Sequence, residues 1–162
     1  MELLNDSIRE YTDQLRKGHI QKAYLGIMTF MSGLCKFLST RHPDYAASAL
    51  YFGYMDMTYF AFTPPGLKKK NLKIAVVYLH EEGRFEVWLV AANRKLQAET
   101  ITRLREKDLG SYTLSRPAPG VDSIIEFILV TAPDFDAPET LRERIAEGTM
   151  AFARDMVAIL GD

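Results

Sequence analysis

Cysteine is almost missing from this chain. Cys35 stands alone, so neither an internal disulfide nor a cysteine-cluster metal site can form. Long apolar runs are missing as well: no stretch reaches the ~18 apolar residues of a membrane-spanning helix. The first residues, MELLNDSIREYTDQLRKG, are acidic and amphipathic, without the basic start and apolar centre of a secretion signal. The reading is a cytoplasmic protein with no membrane partner. An excess of either charge is also lacking. A net charge of −1 and a pI near 6.3 give no general reason to expect nucleic acid or an anionic membrane surface. The motifs of several chemistries are absent: no G-x-G-x-x-G or Walker loop to cradle phosphate, no H-E-x-x-H or D-x-D metal spacing, no G-x-S-x-G elbow.

What is present describes an ordinary globular chain. Its 162 residues, 48% of them hydrophobic, suit one domain covering 1–162 that needs no covalent staples. Leu4, Ile8, Tyr11 and Leu15 recur at helical steps, which predicts a helix over about 5–17 that starts at Asn5 or Asp6 and stops at Gly18. A second helix, His19 to about Ser39, carries a wide stripe from Ile20 to Leu38, so the short link predicts a helical hairpin packed on the domain. Gly26 and Gly33 inside it suggest close approach by another element.

Three strands are expected next, over about 50–62, 72–80 and 84–92. The first is apolar at both odd and even positions, which suggests cover on both faces. Glu82 and Gly83 signal a tight hairpin, in a register that sets Glu86 against Leu79 or Tyr78. Asn93 can cap a helix over about 94–107. A short strand near 111–115 follows. SIIEFILV at 123–130 reads as a strand, though helical spacing fits it nearly as well. Asp136 and Glu139 form a capping-box-like pair before a last helix over about 138–160. The fold class is therefore α+β, in the order α-α-β-β-β-α-β-β-α. An antiparallel-rich sheet is built on a three-strand meander, with the N-terminal hairpin and the C-terminal helix packed on it.

The residues that stand out chemically are carboxylates inside apolar strands: Asp56, Glu86 and Glu126. An ionised carboxylate there is costly unless it is paired, hydrogen-bonded or wet. If the three converge, they could bind Mg²⁺ through oxygen or work as general acid and base. The competing reading pairs each with Arg84, Arg94 or a tyrosine hydroxyl. Arg84, Glu86 and Trp88 share one face of the third strand, and Phe85, Val87 and Leu89 share the other. The wholly apolar face suits core packing, and the mixed face suits a cleft. His80, beside Glu81 and Glu82, reads either as a base or as a hairpin-end residue. Lys68, Lys69, Lys70 and Lys73 read either as a phosphate contact or as a solvated loop.

The stretches YFGYMDMTYF, LKIAVVYLHE, RFEVWL and GVDSIIEFILV resemble, over nearly the full length, a family of small uncharacterised bacterial proteins, a domain of unknown function. That resemblance carries no activity. The αβββαβ order is similar, more weakly, to the restriction-endonuclease-like fold. Nucleases of that fold carry an acid on the second core strand and Glu-x-Lys on the third. Here the third strand holds Glu86, Val87 and Trp88 without the lysine, and Asp56 lies one strand too early.

The leading expectation is a non-enzymatic ligand-binding or interaction module with a cleft near Asp56 and Glu86, its candidate ligand-binding residues being Asp56, Arg84, Glu86 and Trp88. It needs no cofactor, and its partner is a small molecule or a protein, a second copy of the chain included. The alternative is a metal-dependent hydrolase or nuclease-like enzyme holding Mg²⁺ on Asp56, Glu86 and Glu126.

Overall fold

A computed structural model describes residues 3–161. Two helices open the chain, α1 (Leu4–Arg16) and α2 (His19–Arg41). Gly18 joins them at φ +82°, a left-handed turn that glycine adopts without a steric cost. Asp6 caps α1 by accepting from the Leu3 backbone N–H across one turn, 3.3 Å. The strands are β1 (Ala46–Ala47), β2 (Met57–Thr63), β3 (Leu72–Leu79), β4 (Arg84–Ala91) and β5 (Ser123–Val130). They form one antiparallel sheet in chain order, β1-β2-β3-β4-β5. A one-turn helix, α3 (Pro65–Lys68), joins β2 to β3. Helix α4 (Arg94–Leu104) lies between β4 and β5, and α5 (Pro138–Leu160) ends the fold. Asn93 caps α4, accepting from the Leu96 N–H at 2.8 Å. The stretch near 111–115 contributes one bridge, Leu114 to Ile125. The chain is thus α+β, with the helix and strand order read from the sequence, and 123–130 is a strand.

One face of the sheet is sealed. Phe60, Val76, Val87 and Phe127 form one cross-strand row on it; Tyr78, Phe85 and Val130 form another. Against them α2 sets Met31, Leu34 and Leu38, and α5 sets Leu141, Ile145 and Phe152. Leucine and isoleucine at helical spacing meet large residues at strand spacing, and this burial supplies most of the favourable folding term.

Several local expectations are corrected. The strand expected from residue 50 starts at Met57, because Gly53 at φ +75° and Met55 at φ +66° turn the chain before it. Tyr51 keeps a single bridge to Tyr59. β2 is covered on one face, not two: its even positions are buried and Met57, Tyr59 and Ala61 are half-buried. The β3–β4 loop holds four residues, His80–Gly83, which sets Glu86 opposite Val77 rather than Leu79 or Tyr78. Ala137, not Asp136, precedes α5, and no side chain caps it. Among the described residues no other element approaches Gly26 or Gly33; a Cβ at either would meet no atom beyond its own helix backbone within 4 Å. The hairpin packs only through α2, from Met28 onward, and α1 buries no residue.

Candidate binding cavity on the open sheet face

The second face of the sheet carries no helix pair. Its residues fall into cross-strand rows. Tyr59, Val77, Glu86 and Ile128 make one; Ala61, Ala75, Trp88 and Glu126 make the next; Lys73 and Val90 begin a third. Two adjacent alanines in the middle row leave a hollow between Tyr59 and Trp88. A cavity of about 460 Å³ fills it. Met57, Tyr59, Val77, Trp88 and Val90 line the floor, and Tyr51 closes one side from the loop before β2. Tyr51 packs against Tyr59 in a tilted pair with ring centroids 4.9 Å apart. Ser48, Lys73, Asn93, Arg94, Gln97 and Asp122 supply the polar rim.

Glu86 sits beside this cavity with its chemistry already used. The residue is 3% exposed. Arg84 Nε donates to one carboxylate oxygen at 2.6 Å, and Trp88 Nε1 donates to the other at 2.8 Å. Residues two apart on a strand share a face, so the i, i+2, i+4 spacing builds this trio. The pairing offsets the cost of burying the charge and satisfies the indole N–H. It also fixes the ring of Trp88 as the cavity wall. Glu86 is therefore a positioning group, with each of its oxygens already held by a neighbouring donor.

Glu126 lies across from Trp88 on the same face. The residue is exposed as a whole, yet its carboxyl lies over packed neighbours. Burial first, and the Glu86 charge second, push its pKa up; Ser123 and Arg84 oppose them. Asp56 is elsewhere. It precedes β2, two strands from β4, and it is exposed rather than buried. Its carboxylate accepts from the Tyr54 N–H at 2.9 Å. That bond and those from the Met57 N–H and its own lower its pKa, with His80 adding a smaller pull. Asp56 ties the loop 51–56 and does not itself line the cavity. A Cβ at Gly53 would collide with the Met57 carbonyl, so this position of the loop requires glycine. The three strand carboxylates do not converge. Among the described residues no three His, Cys, Asp or Glu side chains could share a metal ion.

His80 belongs to the sealed side. Its Nε2 lies 2.8 Å from Thr58 Oγ1, whose own proton goes to the Phe52 carbonyl at 2.7 Å. The hydroxyl has one proton to give, so His80 Nε2 must carry the proton of the histidine–threonine bond. The ring lies between Tyr24 and Tyr78. Burial lowers its pKa, with Asp56 pulling it back. Thr58, His80 and Asp56 look like a nucleophile, base and acid, but Thr58 is fully buried and its proton is committed to a carbonyl.

The cations on the rim differ. Arg94 donates to Gln97 Oε1 and the Ala118 carbonyl, each at 3.2 Å, and to Val121, and pairs with Asp122 at 3.1 Å. Gln97 in turn donates to the Val121 and Ser123 carbonyls at 2.9 and 3.0 Å. This knot fastens the 118–123 loop to the start of α4. Lys73 is exposed and, among the described residues, has no carboxylate partner within salt-bridge distance. Sequence reasoning placed Trp88 at a cleft, set Tyr51 and Tyr59 among the aromatic residues that could line an apolar pocket, and read Lys73 as a phosphate contact or a solvated loop; it missed the alanine pair. The signal was the odd-numbered set on β2 and β3, Tyr59 and Ala61 on one strand and Lys73, Ala75 and Val77 on the other.

Residues 4–160 match the family described as a domain of unknown function, DUF7000. The chain belongs to this family. No curated protein and no solved structure matches it. No described helix is long and apolar enough to cross a membrane.

Proposed function

We propose that this protein is a binding module that holds a small aromatic anion in the open-face cavity. The observation that carries this reading is a contrast on the cavity rim. Arg94 and Asp122 neutralise one another, Arg84 and Glu86 do the same behind Trp88, and among the described lining residues Lys73 alone has no ion-pair partner. A cavity of this size, with an apolar floor and a polar rim, suits a small ligand. The Tyr59 and Trp88 rings and the Tyr51 lid favour a flat apolar body; Lys73 favours a carboxylate or similar acceptor at its edge. The wall offers no activated nucleophile and no free acid–base pair, so the reading is binding without turnover. Arg84 and Glu86 serve it by fixing Trp88, and Asp56 by holding the loop that presents Tyr51.

Trp88 is the only tryptophan, so its emission reports on the wall directly. Titration with a panel of aromatic carboxylates, 2-naphthoate among them, should change that emission saturably for at least one member. Lys73→Glu should weaken binding about tenfold or more, the loss of a charge-assisted contact plus repulsion. Emission that stays flat across the panel into the millimolar range would end this proposal.

A further inference from the structure

We propose that two copies of this chain associate through their N-terminal helices, α1 of each seated in a groove beside α2 of the other. This goes beyond the cavity and does not depend on it. The first observation is that, among the described residues, α1 touches its own protomer only near the turn into α2. It is 13 residues long and buries none of them, whereas isolated helices of about 12–15 residues are marginal in water. At 100° per residue, Leu4, Ile8, Tyr11 and Leu15 fall on one line. Asn5, Ser7, Thr12 and Gln14 flank it, so about half the circumference carries no charge. Asp6, Arg9, Glu10, Asp13 and Arg16 crowd into the opposite arc of about 120°. A helix that met only water would have no reason to sort its charges this way.

The second observation is a groove without an occupant. It measures about 1030 Å³ and runs along α2 from His19 to Leu34, with Phe135 and the first turns of α5 as its far wall. Those sixteen residues of α2 extend roughly 24 Å and α1 roughly 20 Å, at 1.5 Å per residue. Ile27, Phe30 and Leu34 give it an apolar floor, and Gly26 and Gly33 leave the surface of α2 open above them. The protomer does not fill it: among the described residues no α1 side chain lines the groove.

The area is adequate. Leu3, Leu4, Ile8, Tyr11, Ile20 and Leu25 are between 39% and 76% exposed on this hairpin. Together they offer on the order of 700 Å² per protomer, close to the ~800 Å² per partner of a standard interface and above the ~300–600 Å² patch of a typical monomer. A two-fold exchange makes the contact self-complementary and closed. A second copy is the occupant the chain itself supplies, since each protomer carries one unfilled groove and one uncovered helix of matching length.

Sedimentation velocity of the full chain, from about 1 to about 100 μM, tests this. The wild type should be a dimer that dissociates on dilution. Ile8→Glu puts a charge in the seam of a helix that buries nothing in its own protomer. Gly26→Leu fills the groove at a helical position where a Cβ meets no atom within 4 Å. Each should raise the dissociation constant about tenfold or more while the circular dichroism of the monomer stays native. A wild type that is monomeric throughout overturns the proposal. So does a dimer that survives either substitution unchanged, which would put the interface elsewhere.

Discussion

The same three strands present two unlike faces. On β3 and β4, Val76, Val87 and Leu89 point to the helices and are fully buried, while Lys73, Trp88 and Val90 point to a cavity. The sealed face is filled by large side chains from α2 and α5. The open face has two alanines where a core would have filled the space, and it places Arg84 with Glu86 and Arg94 with Asp122 while Lys73 stays unpaired among the described residues. An interior packs to the density of an organic crystal, so a hollow kept beside such a core marks a surface with a different task. Neighbouring residues on one strand, one facing each way, make the comparison testable.

The largest contrast should come from truncating adjacent aromatic residues on β2. Phe60→Ala removes a fully buried ring from the sealed face and should cost about 3–5 kcal/mol. Tyr59→Ala empties a half-buried wall and should cost only about 1 kcal/mol, with a larger loss in ligand affinity than in stability. Equal shifts in the urea midpoint would erase the distinction between the faces.

Glu86 is the exception that sharpens it, a residue of the open face that is buried. Glu86→Ala strands the Trp88 indole N–H and the Arg84 guanidinium, and should destabilise by about 2–3 kcal/mol. Trp88 emission should move to the red as the ring loosens. Glu86→Gln keeps an acceptor for the indole and should recover part of both effects. Chemical denaturation followed by fluorescence reads stability and ring environment together; an Ala variant as stable as wild type would remove the positioning role.

The smallest effects are linked to pH, and they have opposite signs on the two sides. Folded His80 holds its proton less tightly than the unfolded chain, so stability should fall as pH drops below about 6.5. Folded Glu126 holds its proton more tightly, so it lowers stability as pH rises above its ordinary range. Both groups are partly solvated, which keeps each effect to a few tenths of a kcal/mol. Glu126→Gln should therefore raise the melting temperature slightly at pH 7, and His80→Gln should flatten the acid limb. A Glu126→Gln variant that melts lower would contradict the Glu86–Glu126 repulsion.

The parts of this fold that were legible in the sequence are those governed by local periodicity. The helices over 5–17, 19–39 and 138–160 follow from stripes at three- and four-residue steps, and the cap at Asn93 from one side chain. The two faces of β4 followed from alternation alone. What was not legible depended on the path of a loop or on register. Asp56 read as a strand residue because YFGYMDMTYF is apolar throughout; the turn at Gly53 and Met55 places it outside the sheet and in water. The opposite neighbours of Glu86 depended on whether the hairpin loop holds two, three or four residues. The cavity depended on Ala61 falling beside Ala75, a pairing fixed only when β2 and β3 dock. The bare α1 was illegible for another reason: amphipathicity tells which face wants cover, not which chain supplies it.

The open face is the one proposed to take a ligand. Methyl and indole NMR during titration with the aromatic carboxylate panel separates the faces residue by residue. For a panel member that binds, the methyls of Ala61, Ala75, Val77 and Val90 and the Trp88 indole N–H should shift saturably. Val76, Val87 and Leu89, one residue away on the same strands, should stay still. Shifts spread evenly over both faces, or none from any member of the panel, would contradict it.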